Sequence, residues 1–143
     1  MNGSVLTFYL CGILCGIDVT RAKEMNRTVE YTAVPGAPSS IAGLMNLRGQ
    51  IVTLFDLAAL LGLSRLEKRR ETNCVILKSR PNDSDQAGFF IDKPGTVIEI
   101  TADMCTLVPA GFSGIDNRFI RAVVKVEEGI LLLLDPDEIF SMK

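Results

Sequence analysis

The sequence predicts a mostly β protein made of two small, related barrels around a shared core, with two short capped helices. Three observations point there. Most apolar runs are four to eight residues long, rich in Val, Ile, Leu, Phe and Thr, and broken by Gly, Pro, Asn or Asp. That is the signature of short strands rather than helices. Two of these runs end in an Asp followed by one apolar helical turn. The second such unit repeats the first at a spacing of 79 residues, with Ile51, Val52, Leu54, Asp56 and Leu60 falling on Ile130, Leu131, Leu133, Asp135 and Ile139. A single β-sandwich with strands alike only in composition is the alternative. The coincidence of the Asp caps with the apolar positions favours a duplication.

Taken in order, residues 5–10 and 13–19 read as a hairpin turned at Gly12, and 29–33 as a further strand. Residues 36–49 hold small residues and turn formers, including Asn46 and Gly49, before a strand at 50–55. Asp56 then caps a helix at 57–61, because its carboxylate accepts an orphan N–H of the first turn, and Gly62 stops it. The longest charged run, 64–73, carries Arg65, Lys68, Arg69 and Arg70 against Glu67 and Glu71. It reads as a solvated linker between halves 1–66 and 67–143, with an anion-binding patch as the sharper alternative. Strands follow at 74–78 and 87–91, joined by a turn at 81–85, and at 96–100, 119–126 and 130–134. Asp135 caps a second helix, with Pro136 at its first position and Glu138 where a capping-box acid belongs. A weaker echo at a spacing of 72 places Gly16-Ile17-Asp18-Val19 on Gly88-Phe89-Phe90-Ile91.

Composition narrows the function. The 143 residues carry 15 Lys plus Arg and 17 Asp plus Glu, a net charge of −2, which argues against nucleic-acid binding. There is no His. That removes Ser-His-Asp and Cys-His catalysis and His-based zinc sites. No phosphate loop, dinucleotide fingerprint or nucleophile elbow is present. Asp83, Asp85 and Asp92 lack calcium-loop spacing. The four cysteines, Cys11, Cys15, Cys74 and Cys105, form no C-x-x-C pair and read as small buried apolar residues. No catalytic residue, metal or cofactor is expected. Residues 5–17 imitate a signal core but have no basic flank or cleavage pattern, and no apolar run reaches membrane-spanning length. A cytoplasmic protein with no direct membrane insertion is expected. The hydrophobic share of 48% becomes about 55% when Gly is counted and Tyr left out, above the roughly 45–50% of ordinary domains, so some apolar surface is expected to meet a partner.

One segment is more specific. Residues 38–57 join a loop, a turn, a strand and a capped helix, and Arg48 stands among apolar neighbours. Its charge must face solvent or be paired, and Glu24 is available as the partner. Pairing and presentation of the guanidinium to another protein are compatible roles.

Pro38, Ile41, Gly43, Asn46, Arg48, Gly49, Ile51, Val52, Asp56 and Leu57, with Gly16-Ile17-Asp18-Val19 and Glu24 upstream and residues 129–135 downstream, resemble the CheW family of coupling proteins in bacterial chemosensory arrays. The resemblance spans about residues 6–140. It implies two intertwined five-stranded SH3- or OB-like barrels that exchange strands, and a non-enzymatic adaptor. The implied partners are the regulatory domain of a CheA-type histidine kinase and the cytoplasmic tip of methyl-accepting chemoreceptors. It would place Ala22, Glu24, Arg48 and Cys74 in a receptor-binding groove, and Val108, Pro109 and Phe112 at a kinase or ring interface. Recruitment to membrane-associated receptor arrays follows as an expectation. Thr53, Ala58 and the apolar turn at 11–15 depart from the family pattern, and Ala22 replaces a usual Val. A small-molecule-binding barrel, a thiol or metal module, and a coupler in a pathway other than chemotaxis are the alternatives.

Overall fold

The computed structural model describes residues 2–27, 29–63, 73–79, 86–108 and 115–142. The charged run and the turn at 81–85 therefore lie outside the described residues, apart from Asn73. The described chain forms eleven strands in two sheets, plus two five-residue helices.

Sheet A has the order β8-β1-β2-β11-β10-β9, with β1 at Gly3–Leu10, β2 at Ile13–Asp18, β8 at Lys93–Ile100, β9 at Cys105–Thr106, β10 at Ile120–Val126 and β11 at Gly129–Leu134. Sheet B has the order β3-β6-β7-β5-β4, with β3 at Ala22–Asn26, β4 at Ile41–Leu47, β5 at Gln50–Phe55, β6 at Asn73–Leu77 and β7 at Gln86–Ile91. Each sheet thus takes a hairpin from the other end of the chain. β1–β2 joins β11 in parallel, and β6–β7 joins β5 in parallel. Sheet A has a sixth, two-residue strand beyond the five expected.

The repeat runs deeper than the sequence motif. β4, β5 and helix α1 (Leu57–Leu61) map onto β10, β11 and helix α2 (Pro136–Phe140) at a constant spacing of 79. Even the bulge is kept, between Ile41 and Gly43 and between Ile120 and Ala122. Thr32 bridges Leu44 as Thr106 pairs with Val123. At the parallel joints stand Gly16 opposite Leu133 and Gly88 opposite Leu54. Neither has room for a methyl group: a Cβ on Gly16 would overlap Val5, and one on Gly88 would lie 2.7 Å from the Val75 carbonyl oxygen.

Three apolar clusters explain the long apolar runs. In β6, Val75 and Leu77 enter the large cluster between the sheets, while Cys74 and Ile76 enter a smaller one within sheet B. In β11, Leu132 and Leu134 point to the shared cluster, and Leu131 and Leu133 into sheet A's own cluster. A strand buried on both faces has no polar alternation. Much of the apolar surplus is spent inside the protein in this way.

The two helices match expectation, with Asp56 Oδ1 accepting from Ala59 N at 3.3 Å and Asp135 Oδ1 from Asp137 N at 3.0 Å. Glu138 does not close a capping box. The Asp135 N–H is already spent on the Phe119 carbonyl at 2.9 Å, and Glu138 instead pairs with Arg118 Nε at 2.8 Å. The strand expected at 29–33 shrinks to the single bridge at Thr32. Val29 drops into the sheet B cluster and Tyr31 packs on Phe90 at 4.9 Å, so side-chain burial replaces pairing there. The stretch read as loop and turn forms β4, and β3 is a strand that sequence reasoning missed.

Candidate functional site

The site is built where the two edges of sheet B approach each other. β3 is one edge and β4 the other, and the β4–β5 turn is Arg48-Gly49. Asn46 prepares this turn by accepting the Gly49 N–H at 2.9 Å. Arg48 takes φ 50° and Gly49 φ 85°, the left-handed pair that a tight hairpin needs. From there Arg48 Nη2 reaches Glu24 Oε2 on β3 at 2.6 Å. The ion pair ties the opposite edges of the sheet together.

Glu24 is the better-shielded partner, with 25% of its side chain exposed against 66% for Arg48. Asn26 donates to the other carboxylate oxygen at 3.2 Å. The hydrogen bond from Arg48 holds the Glu24 carboxyl below its ordinary value; the Asn26 bond and the charges of Arg48 and Lys23 add to this, against a smaller opposing effect of desolvation. Most of the guanidinium remains free to meet another molecule.

Ala22, at the start of β3, is half-buried against the shared cluster. Cys74 pairs in register with Asn26 but has no exposure, and burial pushes its thiol up to about 11. It can support the site only from beneath. Val108 packs partly against the shared cluster, while Pro109 and Phe112 lie outside the described residues. Leu107, beside Val108, is 90% exposed. Ile51, just past the Arg48 turn, is 59% exposed; sequence reasoning named it as a repeat and family-pattern position but not as a site residue. Its signal was present: it stands first in the repeated strand pattern, where Ile130 is its equivalent 79 residues on.

Burial pushes the Cys15 thiol up to about 12, so neither buried thiol presents a thiolate near neutral pH. Among the described residues no group of three potential ligands could hold a metal, and no helix is long and apolar enough to cross a membrane.

The architecture is thus two interlocked β subdomains around a shared core, with an ion pair joining the edges of one sheet. The sequence profile of the CheW-like domain matches residues 4–143, and the chain belongs to the CheW-like family. It is 29% identical to the chemotaxis protein CheW of Treponema pallidum over 97% of this chain and 82% of that one. It is 27% identical to the chemotaxis protein CheW of Bacillus subtilis over 96% and 86%. The crystal structure of the scaffolding protein TtCheW from Thermoanaerobacter tengcongensis superposes with a TM-score of 0.81 at 25% identity, covering 94% of this chain and 90% of that one. The chain is a non-enzymatic member of this family.

Proposed function

We propose that the protein is a scaffold that couples chemoreceptors to a CheA-type histidine kinase, working in the cytoplasm at receptor arrays. Family membership supports the scaffold role. The observation that carries the site is the Arg48–Glu24 pair, a guanidinium held in one pose yet two-thirds exposed. Fixing the side chain beforehand reduces the entropy lost when a receptor helix docks, and the planar fork can then meet polar groups on that helix. Ala22 supplies only a small apolar contact, so the polar rim carries more of the binding. Val108, Pro109 and Phe112 are assigned to the kinase side.

Titration of a receptor-tip fragment and, separately, of the kinase regulatory domain tests this reading. Arg48→Ala is expected to weaken receptor binding by on the order of 1–3 kcal/mol, as for a truncated interface anchor, and to leave kinase binding nearly unchanged. A folded variant that binds the receptor fragment like wild type would reduce the pair to a structural tie.

A further inference from the structure

The duplication makes the two sheets comparable position by position, and one difference stands out. Edge strands β3 and β8 carry a bulge in the same place, between Ala22 and Glu24 opposite Leu77 and Ile76, and between Pro94 and Val97 opposite Phe8 and Leu6. At the spacing of 72 that relates these strands, Glu24 corresponds to Thr96. At the spacing of 79 that relates the hairpins, Arg48 corresponds to Glu127. The cation of sheet B is therefore an acid in sheet A, and the acid of sheet B is a neutral hydroxyl.

The gap is left open accordingly. Glu127 and Glu128 form the β10–β11 turn and are both exposed. Among the described residues neither makes an ion pair or a side-chain hydrogen bond. Where sheet B is tied, sheet A has a cleft of about 320 Å3 walled by Glu128, Thr96, Gly95 and Tyr9. Tyr9, Leu14 and Glu128 also border an adjoining apolar hollow of about 360 Å3, lined further by Ile13, Leu132 and the half-exposed Ile130. Among the described residues Lys93 is the one basic side chain on the cleft wall, and it lies 5.9 Å from the Tyr9 ring centre, with no ion pair to a described carboxylate.

We propose that this cleft docks a partner segment that presents an arginine beside an aliphatic side chain. The guanidinium spans from the Glu127–Glu128 turn to Thr96 on the β8 edge and supplies from outside the tie that Arg48 supplies within sheet B. The aliphatic group enters the adjoining hollow. Arginine fits better than lysine because its planar fork can bond a carboxylate and a hydroxyl together. A protein segment fits better than a small ligand because the apolar part opens onto exposed Ile130 and needs an occupant that covers both lobes. The proposal concerns the sheet opposite the receptor groove and does not depend on that assignment.

The test is an NMR titration of the 15N-labelled chain with the peptide acetyl-Leu-Arg-Leu-amide. Its counterpart with citrulline in place of arginine, and free arginine, serve as comparisons. The arginine peptide should shift the amides of Leu14, Thr96 and Glu128 saturably. The citrulline peptide, or the double variant Glu127→Gln with Glu128→Gln, should weaken binding by about threefold to tenfold. Thr96→Glu with Glu127→Arg rebuilds the sheet B tie and should abolish the shifts. Absence of saturable shifts at these amides, equal binding of the citrulline peptide, or undiminished binding by the rebuilt variant would overturn the proposal. Equal binding of free arginine would do so as well, by marking a small-molecule site.

Discussion

At Arg48 backbone and side chain make opposite demands. The left-handed φ of 50° costs a residue with a Cβ about 1–2 kcal/mol, and glycine would adopt it freely. Arg48→Gly is therefore expected to change the melting temperature little, since relief of strain offsets the lost ion pair, yet to bind the receptor fragment as poorly as Arg48→Ala. Calorimetry alongside the titration separates the two effects, and a stable Gly variant with full binding would remove the guanidinium from the groove. Glu24 makes a pH prediction. Its folded-state pKa lies below the ordinary value of 4.5, so its contribution is present above the unfolded pKa and is lost as pH falls through the folded one. Urea unfolding of wild type and Glu24→Gln should show a stability gap at pH 7 that narrows below about pH 4.5; a gap that stays constant down to pH 3 would refute the linkage. Gly88→Ala, which forces a methyl group towards the Val75 carbonyl oxygen at 2.7 Å, should destabilise by about 1–3 kcal/mol, as overpacking does.

The elements differ in how far local sequence determines them. Both helices were legible because an Asp cap and apolar residues coincide within six residues at 56–61 and 135–140, with Gly62 stopping the first and Pro136 opening the second. Asp56→Ala should cost about 1 kcal/mol in chemical denaturation, the usual penalty for a lost cap. Asp135→Ala should cost more, because Asp135 also faces Arg121 at 3.5 Å; equal losses would mean that the ion pair contributes nothing. The central strands were legible from their apolar runs. β3 was not, because Lys23 and Glu24 give it the polar look of a loop, and charged residues are what an unpaired edge requires. β4 was hidden by Gly43, whose bare Cα lets the Thr32 carbonyl and the Tyr31 ring come close. The Arg48–Glu24 pair could be inferred from charge logic and family pattern, and its role in joining two sheet edges could not. Cys74 looked like a groove residue until the register turned its side chain inward. The open cleft of sheet A was invisible for a related reason: it exists only as the contrast between two repeats whose spacings, 72 and 79, differ.

For the whole molecule, stability rests on the core between the sheets, to which Phe8, Phe55, Phe89 and Phe140 contribute from both sheets and a helix, all essentially unexposed. Phe89→Ala removes a ring that packs on Phe8 at 5.3 Å and should cost about 3–5 kcal/mol. Because that core belongs to neither sheet alone, the loss should appear as one cooperative transition followed by circular dichroism and by tyrosine fluorescence alike. Two separated transitions would show that the sheets melt independently.

The exchange of hairpins also dictates when the molecule can exist. β2 finds its parallel neighbour only when Leu132 and Leu133 arrive opposite Cys15 and Gly16, so on the ribosome sheet A must wait for β11, more than a hundred residues later in the chain, to emerge. Until then β1 and β2 are a hairpin without a home, with an apolar face in need of a chaperone or a substitute. A chain stalled after α1 should therefore gain no protease resistance. Residues 1–66 mixed with residues 67–143 should reconstitute the fold as two non-covalent pieces, each donating the hairpin the other lacks. In evolutionary terms, two copies of an ancestral half could have traded hairpins in the same way before a linker joined them.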